Sequence, residues 1–267
     1  MLSTPKHGAP ANKKGSFMTK IVVIGGTGLI GSKLVSQLTE QGNEAIAASP
    51  NSGVNTLTGD GLAEVLTDAQ VVVDVSNSPS FDEKEVLNFF TTSTTNLLAA
   101  ATAARVVHYV ALSVVGTERL AESPYFRAKI AQEKLIKESG VAYSIVHATQ
   151  FFEFVRNIAN SATVDGVVHL SHALIQPIAA DDVASAVGRT AIGEPINGTV
   201  EVAGPEQFGL DELISKSLTL EGDPRRVVTD PEARYFGALL QERTLLPGTD
   251  AFVFQARFED WATRPSP

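Results

Sequence analysis

The stretch Ile21-Val22-Val23-Ile24-Gly25-Gly26-Thr27-Gly28-Leu29-Ile30-Gly31 decides how the rest of the chain is read. Four consecutive β-branched apolar residues suit a parallel strand buried on both faces. Glycine stops the run at once. Apolar residues then recur at Ile30, Leu34 and Leu38, the spacing of one helix face, and Gly42 supplies the C′ position. A strand, a glycine turn and a helix in this order have a chemical use. Gly25 allows a tight turn, Gly28 lets the backbone approach a diphosphate, and Gly31 permits close packing of helix on strand. The helix N-terminus adds free N–H groups and the positive end of its dipole. A glycine pattern alone is weak; its place between strand and helix gives it meaning. Gly25, Thr27, Gly28, Leu29, Ile30 and Gly31 are therefore expected to cradle a dinucleotide.

Outward from this turn the same rhythm repeats. Strands are expected over 45–48, 71–75, 106–112 and 143–146, and helices over 62–66 and 81–104. A further helix opens with Ser123 as N-cap and Pro124 at N1, and Gly140 closes it. The alternation implies an α/β protein with a doubly wound parallel (Rossmann) sheet. Beyond Gln150 the rhythm loosens. Short strands are expected over 167–170 and 199–202, and helices over 181–190 and 210–220, while 224–247 resists assignment. The expected organisation is a dinucleotide-binding core over 18–150. Residues 151–267 complete the sheet and form a smaller, irregular substrate-binding part, one structural unit with the core. Residues 1–17 are basic, rich in Gly and Pro, and lack an apolar segment. They read as a disordered leader rather than a secretory signal, and Met18 is the better start for the first strand.

Composition excludes several function classes. Among 267 residues, Lys plus Arg is 21 and Asp plus Glu is 30, a net charge of −9. A general nucleic-acid binder needs a basic face, so none is expected. There is no cysteine, which removes disulfides, thiolate metal sites and Cys nucleophiles and fits a reducing cytoplasm. The uncharged run 86–104 is crowded with Thr, Ser and Asn, so no membrane partner is expected.

The spacing Gly25-x-x-Gly28-x-x-Gly31 resembles the short-chain dehydrogenase/reductase superfamily, in its atypical and extended, NmrA-like branches. Ala111-Leu112-Ser113-Val114-Val115-Gly116 is similar to the strand that carries the family's catalytic serine. Tyr125-Phe126-Arg127-Ala128-Lys129 matches its Tyr-x-x-x-Lys pair. Pro177-Ile178-Ala179-Ala180-Asp181-Asp182-Val183-Ala184 and Val202-Ala203-Gly204-Pro205-Glu206 resemble two later family stretches. The resemblance covers about residues 20–220 and implies an NAD(P)-dependent oxidoreductase. Tyr125 would be its acid/base, Lys129 its pKa modifier and ribose ligand, and Ser113 the substrate anchor.

The residues themselves support that set in outline. Tyr125 and Lys129 stand four apart and share a helix face. An ammonium beside a phenol favours phenolate and lowers the Tyr pKa, which suits proton transfer near neutral pH. The same spacing also serves a purely structural pair. A site for NAD usually has Asp or Glu after the second strand, but Ala48-Ser49-Pro50-Asn51-Ser52-Gly53 has neither. Ser49, Asn51 and Ser52, helped by Lys33, could hold a 2′-phosphate, so NADP(H) is favoured over NAD(H); the bland alternative is a polar turn.

Asn77, just past the third strand, is placed to touch the cofactor, though it also suits a loop. Phe151, Phe152 and Phe154 line an apolar substrate pocket or belong to the core, and His147 is a hydrogen-bonding substitute or a core residue. His169 and His172 lack a carboxylate to complete a metal set, so no metal is expected. Asp181-Asp182 are expected to cap a helix starting at Val183, and Arg225-Arg226 to form a solvated loop pair.

The leading expectation is oxidation or reduction of a small carbonyl or quinone-like substrate. The alternatives are a non-enzymatic NADP(H)-binding redox sensor and an NAD-retaining epimerase or dehydratase. The protein would be a monomer, or a homodimer pairing helix 81–104 and the helix at Tyr125.

Overall fold

The computed structural model describes residues 18–264; the expected leader over 1–17 lies outside them. The elements in chain order are β1 (Lys20–Ile24), α1 (Leu29–Glu40), β2 (Glu44–Ala48), α2 (Leu62–Val65), β3 (Val71–Asp74), α3 (Glu83–Ala103), β4 (His108–Val114), α4 (Pro124–Glu138) and β5 (Tyr143–Ala148). They are followed by α5 (Val155–Ser161), β6 (Thr163–Val164), β7 (Val167–Leu170), β8 (Leu174–Ile175), α6 (Ala180–Ile192), β9 (Gly198–Ala203), β10 (Phe208–Gly209) and α7 (Leu210–Leu220). The chain ends in β11 (Arg226–Thr229), β12 (Arg234–Tyr235), β13 (Ala238–Leu239), β14 (Phe252–Val253) and α8 (Phe258–Ala262).

Seven strands form one parallel sheet in the order β14-β9-β5-β4-β3-β1-β2. The chain reverses its direction of travel across the sheet between β1 and β3, and in open α/β sheets that reversal opens a crevice at the carboxyl ends of the strands. The doubly wound Rossmann-type sheet is thus present, and β9 and β14 from the C-terminal half belong to it.

Alternation along β1 shows why it is apolar throughout. Ile21 and Val23 face the layer of α1 and α6, while Val22 and Ile24 face the layer holding α2 and α3. α3 and α4 pack on each other within one chain. A separate core joins α5, α7 and α8 to Phe126, Phe152 and Tyr235. Residues 224–247, which the sequence left unassigned, supply β11 alongside β7 and the hairpin β12–β13.

Two capping expectations are corrected. Ser123 stands at the N-cap of α4, but its Oγ is buried without a partner; only its backbone carbonyl serves the helix, accepting from the Arg127 N–H at 3.0 Å. Asp181 and Asp182 lie inside the first turn of α6, whose N-cap is Ala179. They still face the positive end of the helix dipole. Arg225 is also not simply solvated, since it ion-pairs with Asp223 at 2.8 Å and reaches Asn160 and Thr163.

Candidate active site

The carboxyl ends of β1 to β5 border a cavity of about 720 Å³. Its floor is the glycine turn. Gly25 takes φ +78°, and a Cβ there would come within 2.9 Å of the Ser76 backbone. A Cβ on Gly31 would lie 2.1 Å from the Gly25 carbonyl oxygen, so α1 sits directly on its own turn. Gly26, unassigned from sequence, has the same character: its Cβ would meet Ala47 Cα at 2.6 Å. Gly28 differs, with only the Gly25 oxygen nearby, at 3.3 Å. Thr27, Gly28 and Leu29 are exposed and, with Ile30, line the cavity. α1 begins without a side-chain cap, which leaves first-turn amides for an anion.

At the end of β2, Ser49 lines the cavity; its Oγ is buried and has no hydrogen-bond partner. Asn51 and Ser52 are not brought to the cavity. Both are exposed, and Ser52 Oγ closes a turn instead, accepting from the Ser49 N–H at 2.9 Å. Lys33 is also committed elsewhere, to Asp181 at 2.9 Å. Pro50, Asn55, Thr56 and Leu57 line this end in their place. Among the described residues no carboxylate lines the cavity, and Lys129 is its only charged residue.

Ser113, Tyr125, Lys129 and Asn77 all line the same cavity. Tyr125 Oη donates to Asn77 Oδ1 at 3.2 Å. Lys129 Nζ donates to the Leu112 carbonyl at 3.0 Å and to Gln132 Oε1, and lies 4.5 Å from the Phe90 ring centre. Burial lowers the Lys129 pKa to about 8, against the opposing pull of Asp74 and Glu133. Burial among aromatic rings raises the Tyr125 phenol well above its ordinary value. Burial of the phenol thus prevails over the lowering the spacing suggested, and two of the three ammonium N–H groups go to Leu112 and Gln132. The phenol stays protonated at neutral pH.

The sequence missed Glu133. Ser113 and His147 are register partners on β4 and β5, and α4 lays Glu133 across them. Glu133 Oε1 accepts from Ser113 Oγ at 2.7 Å and from His147 Nε2 at 2.8 Å, while Oε2 accepts from Lys137 at 3.2 Å. Burial pushes its carboxyl up, but these partners outweigh burial and hold it at about 2. An ionised Glu133 commits the Ser113 proton. A Glu five residues before the end of a helix carries no sequence signal of its own; only its i,i+4 spacing to Lys129 hinted at a shared face.

The phenylalanines divide. Phe151 and Phe154 line the cavity, whereas Phe152 is core, packed on Phe258 and Trp261. His172 contacts Asp211 at 2.8 Å and His169 contacts Asp230 at 3.5 Å, but no group of three or more potential ligands occurs among the described residues. Among them, too, no helix is long and apolar enough to cross a membrane.

A parallel sheet, an uncapped helix above a glycine turn, and a Tyr-x-x-x-Lys helix on the same cavity define a nicotinamide-dinucleotide-binding protein of the atypical or extended short-chain dehydrogenase/reductase type. Residues 25–190 match the family described as NAD(P)H-binding, and the chain belongs to that family. It is similar to the photosystem II assembly factor Ycf39 of Cyanophora paradoxa, with 28% identity over 147 residues. That match spans 50% of this chain and 46% of the relative, so about half of the relative's length is covered. Ycf39 of Synechocystis is 22% identical over 80% of this chain and 71% of its own.

Among solved structures, MoeE5 in complex with UDP-glucose and NAD superposes with a TM-score of 0.70 at 18% identity, covering 91% of this chain and 96% of its own. A nucleoside-diphosphate-sugar epimerase from Staphylococcus aureus gives 0.69 at 14% identity, covering 92% and 100%. A dTDP-4-dehydrorhamnose reductase from Clostridium acetobutylicum gives 0.66 at 17% identity, covering 91% and 97%. At these identities the likeness concerns the fold.

The residues present fit a dinucleotide. The cradle has bare amides, Gly28 leaves room for close approach, and the orphaned hydroxyls of Ser49 and Thr149 face the cavity. First-turn amides of α1 would hold the diphosphate, Ser49 the adenosine ribose, and Lys129 with Asn77 the nicotinamide end.

Proposed function

We propose that the protein is an NADP(H)-dependent oxidoreductase that reduces a small carbonyl or quinone-like compound in the cytoplasm. The observation that carries this reading is that Tyr125, Lys129 and Ser113 border one cavity with the glycine turn. A reduced dinucleotide held there would supply the hydride, being oxidised in turn. Tyr125 Oη supplies the proton, so a ketone gains both and becomes an alcohol, and a quinone becomes a hydroquinone. A phenol held in its protonated form suits this direction. Lys129 orients the ribose, and Asn77 Oδ1 holds the Tyr125 hydroxyl in place until substrate arrives. NADP(H) is favoured because, among the described residues, no carboxylate lines the cavity at the end of β2 to repel a 2′-phosphate. NADPH consumption against a carbonyl and quinone panel tests the reading. Tyr125→Phe is expected to lower kcat at least about 100-fold with NADPH affinity kept; equal turnover would end it.

A second reading has its own support. The Ser113 proton is committed to Glu133, and Lys129 does not activate the phenol. A non-catalytic NADP(H)-responsive protein that engages a partner would tolerate both, and the Ycf39 relatives are named assembly factors. It predicts tight dinucleotide binding without turnover across the whole panel.

A further inference from the structure

The β12–β13 hairpin turns through Phe236 and Gly237, both with positive φ, at +46° and +95°. Such two-residue turns favour Asn-Gly, and a bulky residue at the first position is an outlier. The backbone gains nothing from phenylalanine there. The ring, however, is used. It stacks on Phe81 at 6.0 Å and 24° and on Phe154 at 5.8 Å and 29°, with Tyr235 edge-on at 4.8 Å. Phe81 in turn packs on Tyr125 at 5.6 Å. Three segments far apart in sequence thus build one aromatic wall that continues onto the Tyr125 ring, and all three line the cavity. Backbone strain kept at a cavity wall points to a ligand contact.

Two further observations narrow the ligand. Gln150 lines the cavity and is 5% exposed; neither Nε2 nor Oε1 makes a hydrogen bond of good geometry, and the Tyr235 hydroxyl is its nearest polar neighbour. A buried amide in this state needs a polar partner, which a carbonyl ligand in the cavity can supply. Among the described residues the cavity's only charge is Lys129, already bound to Leu112 and Gln132. After the dinucleotide is seated, no second cation remains among the described lining residues for another diphosphate.

We propose that the substrate of this site is an uncharged, planar aromatic carbonyl compound, a quinone or an aryl ketone, stacked on the Phe81–Phe236–Phe154 wall with Gln150 as its second polar anchor. This rests on the oxidoreductase reading and gives it a substrate class. A sugar nucleotide is disfavoured because the described lining residues hold no second cation, despite the fold shared with sugar-nucleotide enzymes.

Phe236→Asn is the test, because asparagine tolerates the left-handed turn and removes the ring. Binding of 1,4-naphthoquinone to the protein saturated with NADP+ is measured by calorimetry, with UDP-glucose as the charged counter-probe. The wild type is expected to bind the quinone and not UDP-glucose. The variant is expected to keep its melting temperature and its NADP+ affinity while losing quinone affinity at least tenfold. Gln150→Leu, read the same way, is expected to lose it about fivefold. Quinone binding unchanged in Phe236→Asn, or UDP-glucose bound in preference, overturns the proposal. Quinone bound on the wall but never consumed with NADPH upholds the site and ends the oxidoreductase reading. Consumption of short aliphatic carbonyls alone upholds that reading and overturns the aromatic site.

Discussion

Ser113 Oγ points at Glu133, donating to Oε1 over 2.7 Å. The serine that family resemblance makes a substrate anchor is held by a buried carboxylate, and His147 and Lys137 complete the carboxylate's shell. The carboxyl is held at about 2 rather than the ordinary 4.5. A depressed folded-state pKa means that this stabilisation is fully present above about pH 4.5 and is lost as pH falls toward 2. Each unit corresponds to about 1.4 kcal/mol, so the upper bound is about 3 kcal/mol. Glu133→Gln cannot titrate. Urea denaturation of both proteins between pH 2.5 and 7 is expected to show a stability gap that narrows on acidification. A gap independent of pH would contradict the ionised network.

Lys129 carries the opposite sign. Its folded-state pKa of about 8 lies below the ordinary 10.5, so the folded protein binds fewer protons than the unfolded chain between those values. The cost of burying the ammonium is fully present below pH 8. Wild-type stability therefore rises with pH from about 8 to 10.5, by up to about 3 kcal/mol. Lys129→Met removes that titration while leaving Leu112 O and Gln132 Oε1 without their donor. Melting curves across pH 7 to 10.5 are expected to show the wild type gaining on the variant as pH rises. Parallel curves would place the ammonium in a wetter setting than the structure gives it. The same substitution is expected to weaken dinucleotide binding about tenfold at pH 7.

The glycines give a sharper contrast. Gly31→Ala would place a methyl group 2.1 Å from the Gly25 oxygen, backbone against backbone, with nothing free to yield. The expected cost is at least about 3 kcal/mol, with NADPH binding lost. Gly42 also has positive φ, +85°, but open space around it. Gly42→Ala is expected to cost about 1 kcal/mol and to leave NADPH affinity intact. If both variants behaved alike under denaturant, the close seat of α1 on its turn would be wrong.

Residues whose meaning is local were legible. The run at Ile21 to Ile24, the turn after it and the apolar stripe of α1 follow from near-neighbour rules, and the structure returns them with boundaries shifted by a residue or so. Residues whose meaning depends on distant partners were not. Nothing local to Lys33 says that Asp181, 148 positions away, will claim it. Nothing local to Ser52 says that it folds back on Ser49 instead of facing a nucleotide. Tyr125 and Lys129 share a cavity as their spacing implied, yet Leu112 and Gln132 decide where the ammonium points. Phe236 was invisible because residues 224–247 have no periodicity, and its importance comes from a turn that brings it to Phe81 and Phe154.

Ser49 offers the test of dinucleotide preference. It directly follows β2, its Oγ has no partner, and it lines the cavity, where no carboxylate stands among the described residues. An aspartate here would accept a ribose 2′-hydroxyl and repel a 2′-phosphate. Ser49→Asp is therefore expected to weaken NADPH binding at least tenfold and to strengthen NADH binding, reversing the ratio of the two Kd values. Burial of a new charge also costs stability, so the readout is the ratio and not either constant alone. Ser49→Ala keeps the fold and removes only the hydroxyl. It is expected to weaken both nucleotides by a similar, smaller factor of about three, since a neutral hydrogen bond contributes about 1 kcal/mol. A wild type that prefers NADH, with a ratio unmoved by Ser49→Asp, would place the ribose elsewhere on the β2 edge, against Asn55 and Thr56.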